Sequence, residues 1–490
     1  MNDSSSARIA ADLRTWIATA PPGGRLPPTR ELVARYQASP VTVQSALRAL
    51  TIQGLIESQP GVGTFIRATR AVRPADYGWQ TAALRSPRAR LSAALRSTPH
   101  DVIALHAGYP DRDLLPERLV RSALARAART DAALTRPPAA GLPELQSWFA
   151  DELRAVTPAD VIPPAPGDVI VLPGSQSGLS SVFRALAGAG APVLMESPTY
   201  WGAILAARQA GVVIVPVPGG PAGPDPGELA RAFRETGARL FYAQPAYANP
   251  TGTQWTTTIQ DQVLDLVREH GAFLVEDDWA HDFAITGTAT PLAARDDRGH
   301  VIYLRSLTKS VSPAVRVAAV IARGPARDRL LADRGAASMY VSGLLQAAAL
   351  GVVTQPGWAT HRRGLRRQLA ARRDLLVTAV REHAPQARLD LVPAGGLNLW
   401  ARLPDGTDVE RLAHDCEQSG LTVSPGAEWF PEEPTGPCIR LNYAGPNPSA
   451  FPAGARLLGQ ALAVNGQPAG NGARSWAHRV PTGGSSPSIR

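Results

Sequence analysis

Between Val102 and Val464, short apolar segments alternate with segments of helix length, and this alternation leaves few folds open. The apolar segments have the length of strands and read VIVL, PVLM, VVIVPV, RLFYA, AFLVED and HVIYL. Strands that alternate with helices are typical of βαβ units, in which the strands lie parallel and helices cover the sheet. The sequence therefore predicts an α/β domain with a mostly parallel sheet over residues 101–464.

The residues before this domain carry a different pattern. Apolar residues from Ile9 to Ile17 have helical spacing and precede the breaker PPGG. Thr29 is placed to cap a second helix, and Ser39 with Pro40 supplies a cap and a first-turn proline for a third. The segment LIESQPGVGTFIRA then predicts two strands around a Pro-Gly-x-Gly turn. Together these elements predict a small α+β winged helix-turn-helix domain within residues 1–68.

The segments RLPPTRELVARY, SPVTVQSALRAL and GLIESQPGVGTFI resemble the GntR-type winged-helix family over residues 7–68. The resemblance implies binding to double-stranded DNA, with a recognition helix in the major groove. The DNA-contact candidates are Arg30, Thr42, Gly61 and Gly63, which match the family, and Ser39 and Gln44, which begin the recognition helix. For each residue alone, a capping or solvated role is at least as strong an interpretation, and the set of residues together is stronger evidence than any member. Pro40 and Gln44 stand where members commonly carry arginine, which predicts a different base preference.

Charge and cysteine content narrow the class of protein further. The chain has a formal net charge of +9. Between Arg67 and Arg96 the sequence contains seven arginines and one acidic residue, Asp76. Residues 69–100 are expected to be a basic linker, for which a solvated surface and phosphate contact are equally good interpretations. Residues 465–490, rich in Gly, Ser and Pro, are expected to be disordered. Two cysteines, no signal-peptide pattern and no bilayer-length apolar run predict a cytoplasmic protein.

Lysine is nearly absent from the chain. Of the 50 lysine and arginine residues, every one is arginine except Lys309. A guanidinium is never a free amine, so arginine cannot form a Schiff base with an aldehyde cofactor. Lys309 is therefore a candidate for that role. Its position alone is also consistent with a surface lysine retained by chance, and the residues around it must distinguish the two interpretations.

The neighbours of Lys309 offer the other groups that pyridoxal 5′-phosphate requires. Gly174, Ser175 and Gln176 open a helix after the strand VIVL, where amide groups and the helix dipole favour a phosphate. Further candidates are Asp277 for the pyridine nitrogen, Asn249 for the phenolic oxygen, Tyr200 for the ring face, and Ser306 and Arg316 for the phosphate. This order of groups along the chain resembles the fold-type I aminotransferases, which implies that Lys309 forms the internal aldimine. The resemblance also implies that Arg440, on a predicted strand, holds an amino-acid carboxylate.

A GntR-type reader joined to this fold resembles the MocR subfamily of bacterial regulators, on the segments VEDDWAHDF, SLTKSVSPAVR and HRRGLRRQLAARRDLL. The resemblance implies a head-to-tail homodimer that binds DNA and responds to pyridoxal phosphate or an amino compound. Trp279 departs from the family, where tyrosine is common, and an indole lacks the phenol that would face the cofactor. A working aminotransferase and a cofactor-binding scaffold with a silent reader remain the alternatives. The histidines lack the spacing of metal ligands, so no metal is expected.

Overall fold

The computed structural model describes residues 5–21, 23–67, 76–84, 92–96, 98–99 and 102–465. Its contacts divide the chain into two compact units, Met1–Ala89 and Arg90–Arg490. Half of the expected linker, and the expected tail apart from Asn465, lie outside the described residues. In the part that is described, no helix has both the length and the apolar content that crossing a bilayer requires.

The first unit is built from short helices and one hairpin. Its elements are α1 (Ser5–Thr19), α2 (Thr29–Tyr36), α3 (Pro40–Ile52), β1 (Ile56–Gln59), β2 (Gly63–Ile66) and α4 (Trp79–Ala83). Leu13, Leu32 and Leu50 meet in its core, and β1 pairs antiparallel with β2. The predicted winged helix-turn-helix fold is therefore confirmed.

The two predicted helix caps of this unit have different outcomes. The Ser39 side chain accepts a hydrogen bond from the backbone N–H of Thr42, as expected of an N-cap residue. The predicted cap at Thr29 is wrong, because Pro28 occupies the N-cap position and Thr29 is already helical. Pro28 provides no side-chain hydrogen bond, so the first turn of α2 begins without a side-chain cap.

The second unit contains the remaining elements. Its strands are β3 (Ile103–Ala104), β4 (Val169–Leu172), β5 (Pro192–Ser197), β6 (Val213–Gly220), β7 (Gly223–Pro224), β8 (Leu240–Ala243), β9 (Phe273–Asp278), β10 (Val301–Ser306), β11 (Ala318–Ile321), β12 (Asn398–Arg402), β13 (Leu421–Thr422), β14 (Ser424–Pro425) and β15 (Cys438–Asn442). Its helices are α5 (Glu117–Ala127), α6 (Pro143–Arg154), α7 (Ser175–Val182), α8 (Trp201–Ala210), α9 (Pro226–Thr236), α10 (Thr257–Glu269), α11 (Gly324–Ser338), α12 (Gly343–Val353), α13 (Pro356–His383), α14 (Val409–Gln418) and α15 (Phe451–Asn465).

A mixed sheet of eight strands forms the centre of this unit, in the order β4-β11-β10-β9-β8-β5-β6-β7. All six segments that were predicted as strands lie in it, as β4, β5, β6, β8, β9 and β10. The run from β10 to β6 is parallel, whereas β11 pairs antiparallel with both β10 and β4. The predicted α/β fold with a mostly parallel sheet is confirmed, and β11 and the two-residue β7 are the strands of this sheet that the alternation missed.

Burial explains why the central strands are apolar throughout. In β4, Val169 and Val171 belong to the core on one face of the sheet, and Ile170 and Leu172 belong to the core on the other. Successive strand residues point to opposite faces, so a strand covered on both sides must be apolar at every position. A third core holds the smaller sheet β12-β15-β14 together with α13, α14 and α15. Because the interiors of these strands are buried on both faces, polar residues are found at the carboxyl ends of the parallel strands.

Candidate cofactor site and DNA-binding surface

A cavity of about 470 Å³, open in part to solvent, lies where several strands of the central sheet end. Its walls include every residue that was predicted to bind the cofactor in the large unit: Gly174, Ser175, Gln176, Tyr200, Asn249, Asp277, Trp279, Ser306, Lys309 and Arg316. The carboxyl ends of β4, β9 and β10 deliver three parts of this set. Ligand sites of open α/β sheets lie at that edge. The structure therefore brings residues from widely separated segments into one site.

One end of the cavity is suited to an anion. Gly174 precedes α7 with φ of 91°, a conformation that favours glycine, and leaves the first amides of α7 unobstructed. The guanidinium of Arg316 and the hydroxyl of Thr308 both lie within 4 Å of where a Cβ at Gly174 would stand. The Thr308 hydroxyl is buried and has no partner within the described ranges. These donors around a helix N-terminus suit a phosphate group.

Asp277 is buried in the wall of the cavity, and only one of its two carboxylate oxygens accepts hydrogen bonds. Its Oδ2 accepts hydrogen bonds from Tyr242 Oη at 2.9 Å and from Gln244 Nε2 at 2.8 Å. Its Oδ1 is buried and has no hydrogen-bond partner within the described part of the chain. Burial raises the pKa of Asp277, and the two hydrogen bonds and Lys309 oppose that shift. An N–H donor from a ligand would satisfy Oδ1 and favour the ionised form.

Lys309 Nζ lies 4.1 Å from the ring centroid of Trp279, with Tyr109 on another side at 5.8 Å. Burial and, to a lesser extent, the positive charge of Arg440 lower the pKa of Lys309 to about 7, against a smaller raising effect of Asp277. An amine with this pKa is neutral in a large fraction of molecules at neutral pH and is therefore a competent nucleophile. Trp279 offers Lys309 its ring face, while its buried indole N–H finds no acceptor among the described residues.

Arg440, on β15, is fully buried in a cleft of about 1030 Å³ that Lys309 and Asn249 also line. Its Nη1 donates to Asn249 Oδ1 at 3.3 Å, and its Nη2 donates to the carbonyl oxygen of His106 at 2.6 Å. Its guanidinium stacks 4.5 Å from the ring centroid of Trp429, and its Nε has no acceptor in the described chain. Burial lowers the pKa of Arg440 to about 10. A cation buried in this way favours binding of a carboxylate.

Sequence reasoning missed three residues that line the cofactor cavity: Tyr109, Gln244 and Thr308. Gln244 follows β8 directly, donates to Asp277 and accepts from the backbone N–H of Asn249. Its place after a parallel strand is a signal that could have identified it. Thr308 is adjacent to Lys309 in the sequence and could have been predicted from that position. Tyr109 lies in a loop, and the sequence around it carries no such signal.

The first unit presents its candidate DNA contacts on α2, α3 and the turn of the hairpin. Arg30 and Gln44 are exposed, Gly61 lies in that turn with φ of 75°, and Gly63 begins β2 with φ of 146°. The hydroxyls of Ser39 and Thr42 lie 2.8 Å apart and are engaged with each other. Arg25, which was not among the candidates, donates through its guanidinium to the carbonyl oxygen of Val62 in the hairpin. Arg25 also lies so close to Gly63 that a Cβ there would clash with it.

The orphaned polar atoms test whether the cavity fits a pyridoxal phosphate. Asp277 Oδ1 is an acceptor for a pyridine N–H, and the Thr308 hydroxyl and Arg316 are donors for a phosphate. The amide oxygen of Asn249 is taken by Arg440 and Asn398, which leaves its N–H groups to donate to a phenolic oxygen. The residues present therefore fit this cofactor in charge and in hydrogen-bonding character.

Comparisons with known proteins agree with this geometry. Residues 100–455 match the family model "Aminotransferase class I and II", and residues 5–66 match "Bacterial regulatory proteins, gntR family". The chain is 30% identical over 89% of its length to the "Probable rhizopine catabolism regulatory protein MocR" of Rhizobium meliloti, of which it covers 89%. It is 27% identical over 82% of its length to the "Vitamin B6 salvage pathway transcriptional repressor PtsJ" of Salmonella typhimurium, of which it covers 85%.

The solved structure of LysN, the α-aminoadipate aminotransferase of Thermus thermophilus, superposes on the large unit with a TM-score of 0.69. That structure holds N-(5′-phosphopyridoxyl)-L-leucine, shares 28% sequence identity, covers 74% of this chain and is itself 93% covered. Fold and cavity define the large unit as a pyridoxal-phosphate-dependent aminotransferase fold. The chain belongs to the aminotransferase class I and II family and carries an N-terminal gntR domain, the combination found in MocR-type regulators.

Proposed function

We propose that this protein is a cytoplasmic transcriptional regulator whose large unit binds pyridoxal phosphate and thereby controls DNA binding by the first unit. The observation that carries the proposal is that one chain joins a GntR-type reader to a cavity in which Lys309, Asp277 and Arg316 converge. The relatives with matching length along both units are named as regulators. The two cysteines, both buried and free, fit a reducing compartment.

The residues of the large unit divide the work of holding the cofactor. Gly174, Ser175, Gln176, Thr308 and Arg316 would bind the phosphate through backbone amides, hydroxyls and a guanidinium.

Asp277 would hold the pyridine nitrogen protonated, Asn249 would donate to the phenolic oxygen, and Tyr200 would cover one face of the ring. When bound, pyridoxal phosphate supplies an aldehyde that reacts with amines and a ring that withdraws electrons. Lys309 supplies the amine that receives it, and Arg440 would hold the carboxylate of an amino-acid effector.

DNA binding by the full chain tests the proposal. Double-stranded DNA selected from a random pool by the protein would be titrated without cofactor, with pyridoxal phosphate, and with pyridoxal phosphate plus an amino acid. We expect DNA affinity to differ between two of these states by about tenfold, the size typical of coupling between sites. The difference should vanish in Lys309→Ala. Equal affinity in all three states for the wild-type protein would contradict the proposal.

A working aminotransferase is the second candidate, because Lys309 and Arg440 line one cleft. Transamination requires a base that transfers a proton, here Lys309, close to the group that binds the amino-acid carboxylate, here Arg440. Release of a keto acid with each turnover, measured over several equivalents of protein, would favour it. Binding of the amino acid without sustained release of keto acid would favour the regulator. The two functions differ in turnover, so this measurement separates them.

We also propose that the protein acts as a head-to-tail homodimer, as its resemblance to the MocR subfamily implies. Two readers in one assembly suit paired half-sites on DNA. Sedimentation of the full chain at micromolar concentration is expected to give a mass of twice 51.7 kDa. A monomer bound to a single half-site would contradict this part of the proposal.

A further inference from the structure

Residues 92–96, here called the wall segment, form one side of the cleft that contains Arg440. Ser92, Ala94 and Leu95 line that cleft together with Lys309. Leu95 is 44% exposed although it is apolar, and the surface that it exposes borders the cleft. A ligand in this cleft would cover apolar surface of Leu95, which is favourable. In the chain, the wall segment lies near the carboxyl end of the expected linker from the DNA-binding unit and belongs to the second unit.

Polar contacts to three other parts of the large unit hold the wall segment in place. The Ser92 hydroxyl, which is buried, donates to Glu428 Oε1 at 2.9 Å. The carbonyl oxygen of Arg96 accepts from His106 Nε2 at 2.9 Å, and the guanidinium of Arg96 lies 3.2 Å from Glu417. The exposed pair of Arg96 and Glu417 contributes little. The Ser92–Glu428 and Arg96–His106 hydrogen bonds, both partly shielded from solvent, therefore make the main attachment.

Glu428 links this attachment to the carboxylate-binding end of the cleft. Trp429, the residue after Glu428, stacks on the guanidinium of Arg440 at 4.5 Å, and the negative charge of Glu428 raises the pKa of Arg440. No carboxylate lies within ion-pair distance of Arg440 in the described chain. The acid that holds the wall segment is thus the chain neighbour of the residue that stacks on Arg440, so a ligand carboxylate at Arg440 would lie near this attachment.

The lining of the cleft selects a class of amino acid. Trp201, Leu205, Ala94 and Leu95 give it an apolar side, and its charged side chains within the described residues are all cationic. A cationic ligand side chain would find no free acid there, because Glu428, the acid beside the cleft, already accepts hydrogen bonds from Ser92 and Ser424. The three cations are already assigned, Lys309 and Arg316 to the cofactor and Arg440 to the α-carboxylate, so an acidic side chain would bury a second carboxylate without a partner, at a cost in desolvation. A neutral, apolar side chain meets neither penalty.

We propose that the wall segment recognises the side chain of an apolar amino acid through Ala94 and Leu95, and that the Ser92–Glu428 attachment positions it for this contact. The inference rests on the proposed function, since it assigns the effector and its contact to the regulatory chain. The ligand contacts exist only while the wall segment lies in the cleft wall. Binding of the amino acid and placement of the segment that leads to the reader are therefore linked, each favouring the other.

The test uses the full-length protein loaded with pyridoxal phosphate and measures the affinity for L-leucine by calorimetry. We expect Leu95→Ala to weaken L-leucine binding by about tenfold, because it removes apolar surface from the contact. The matched control is Leu134→Ala, the same change at a side chain that is 90% exposed and lines neither cavity. An unchanged absorbance spectrum of the bound cofactor would show that the variants fold and load.

The attachment is tested by a second set of variants. Ser92→Ala and Glu428→Gln should weaken L-leucine binding, while Glu432→Gln, on an exposed residue of the same region, should not. Trypsin cleavage after Arg96 supplies a readout independent of affinity. L-leucine should slow this cleavage in the wild-type protein and much less in Ser92→Ala, because only a positioned wall segment gains protection from the ligand.

The outcomes separate this inference from the proposed function. If L-leucine binds the wild type and the Leu95 and Ser92 variants with equal affinity, the wall segment has no part in recognition and the inference fails alone. Tighter binding of L-glutamate than of L-leucine would overturn the assigned ligand class. If wild-type protein with cofactor binds neither amino acid, the sensing of amino compounds fails as well. Weakened binding in both variants with intact cofactor loading supports the inference.

Discussion

At the scale of single residues, the large unit buries charged groups whose partners within the described ranges are incomplete. Asp277 leaves Oδ1 without a partner, and Arg440 leaves Nε without one. Lys309 has an aromatic face and like-charged Arg440 near its amine. Buried charge without full compensation costs folding free energy and persists where a ligand completes the set. These residues therefore mark the binding site more sharply than their positions in the sequence do.

The pKa of Lys309 leads to a prediction about pH. The amine must be neutral to attack an aldehyde, and the fraction that is neutral rises as pH increases through about 7. We expect the rate of covalent cofactor capture to rise across this range and then level off. Arg440→Gln removes a nearby positive charge, so the pKa of Lys309 should rise and the midpoint should move to higher pH. Arg411→Gln, on an exposed side chain, is the control; an unmoved midpoint in Arg440→Gln would show that Arg440 does not act on Lys309.

Asp277→Asn tests the contact to the pyridine nitrogen. The amide keeps the shape and one acceptor but loses the charge that favours a protonated ring nitrogen. Hydrogen bonds to charged groups contribute about 1.5 to 3 kcal/mol, so affinity for pyridoxal phosphate should fall by roughly ten- to a hundredfold. Fluorescence titration measures this, with Asp265→Asn on an exposed residue as the control. Wild-type affinity in Asp277→Asn would remove Asp277 from the cofactor site.

At the scale of elements, the recognition helix α3 has a capped N-terminus and an exposed face. Ser39 caps the helix, and Gln44 projects from its first turns into solvent. The Ser39 and Thr42 hydroxyls bond to each other, so their first role is to hold the helix end. Gln44 has no such duty among the described contacts and is the stronger candidate for a base contact.

Substitutions on α3 separate these roles. Ser39→Ala should lower the local stability of the helix by about 1 kcal/mol, because an orphan amide loses its acceptor. Hydrogen exchange of α3 amides in the full chain measures this, and Ser45→Ala, within the helix, should not lower protection. Gln44→Ala should leave exchange unchanged and weaken specific DNA binding by about tenfold. Equal loss of protection in Ser39→Ala and Ser45→Ala would contradict the cap.

The elements also show how far sequence reasoning reaches. Every strand that was predicted from an apolar run is present, because burial on both faces leaves a strong signal in each. Strand β11 was missed because the sequence RVAAVIA follows the loop of Lys309 closely and returns antiparallel, outside the βαβ alternation. The roles of Trp279 and Tyr109 depend on side-chain packing around Lys309 across loops, which no local pattern encodes.

At the scale of the whole molecule, the central claim is that occupancy of the Lys309 site and DNA binding are linked in one chain. Linkage requires that the ligand favour one arrangement of the protein, and it requires the effect to be reciprocal. If pyridoxal phosphate changes DNA affinity by some factor, DNA must change the affinity for pyridoxal phosphate by the same factor. A protein whose two units merely share a chain shows neither effect.

The most direct test is therefore a titration of the apoprotein with pyridoxal phosphate, performed without DNA and with saturating selected DNA. We expect the two dissociation constants to differ by about tenfold, and by the same factor that the cofactor imposes on DNA affinity. Lys309→Ala should abolish the difference. Identical dissociation constants with and without DNA, for a protein that binds both ligands, would contradict control of the reader by the cofactor site.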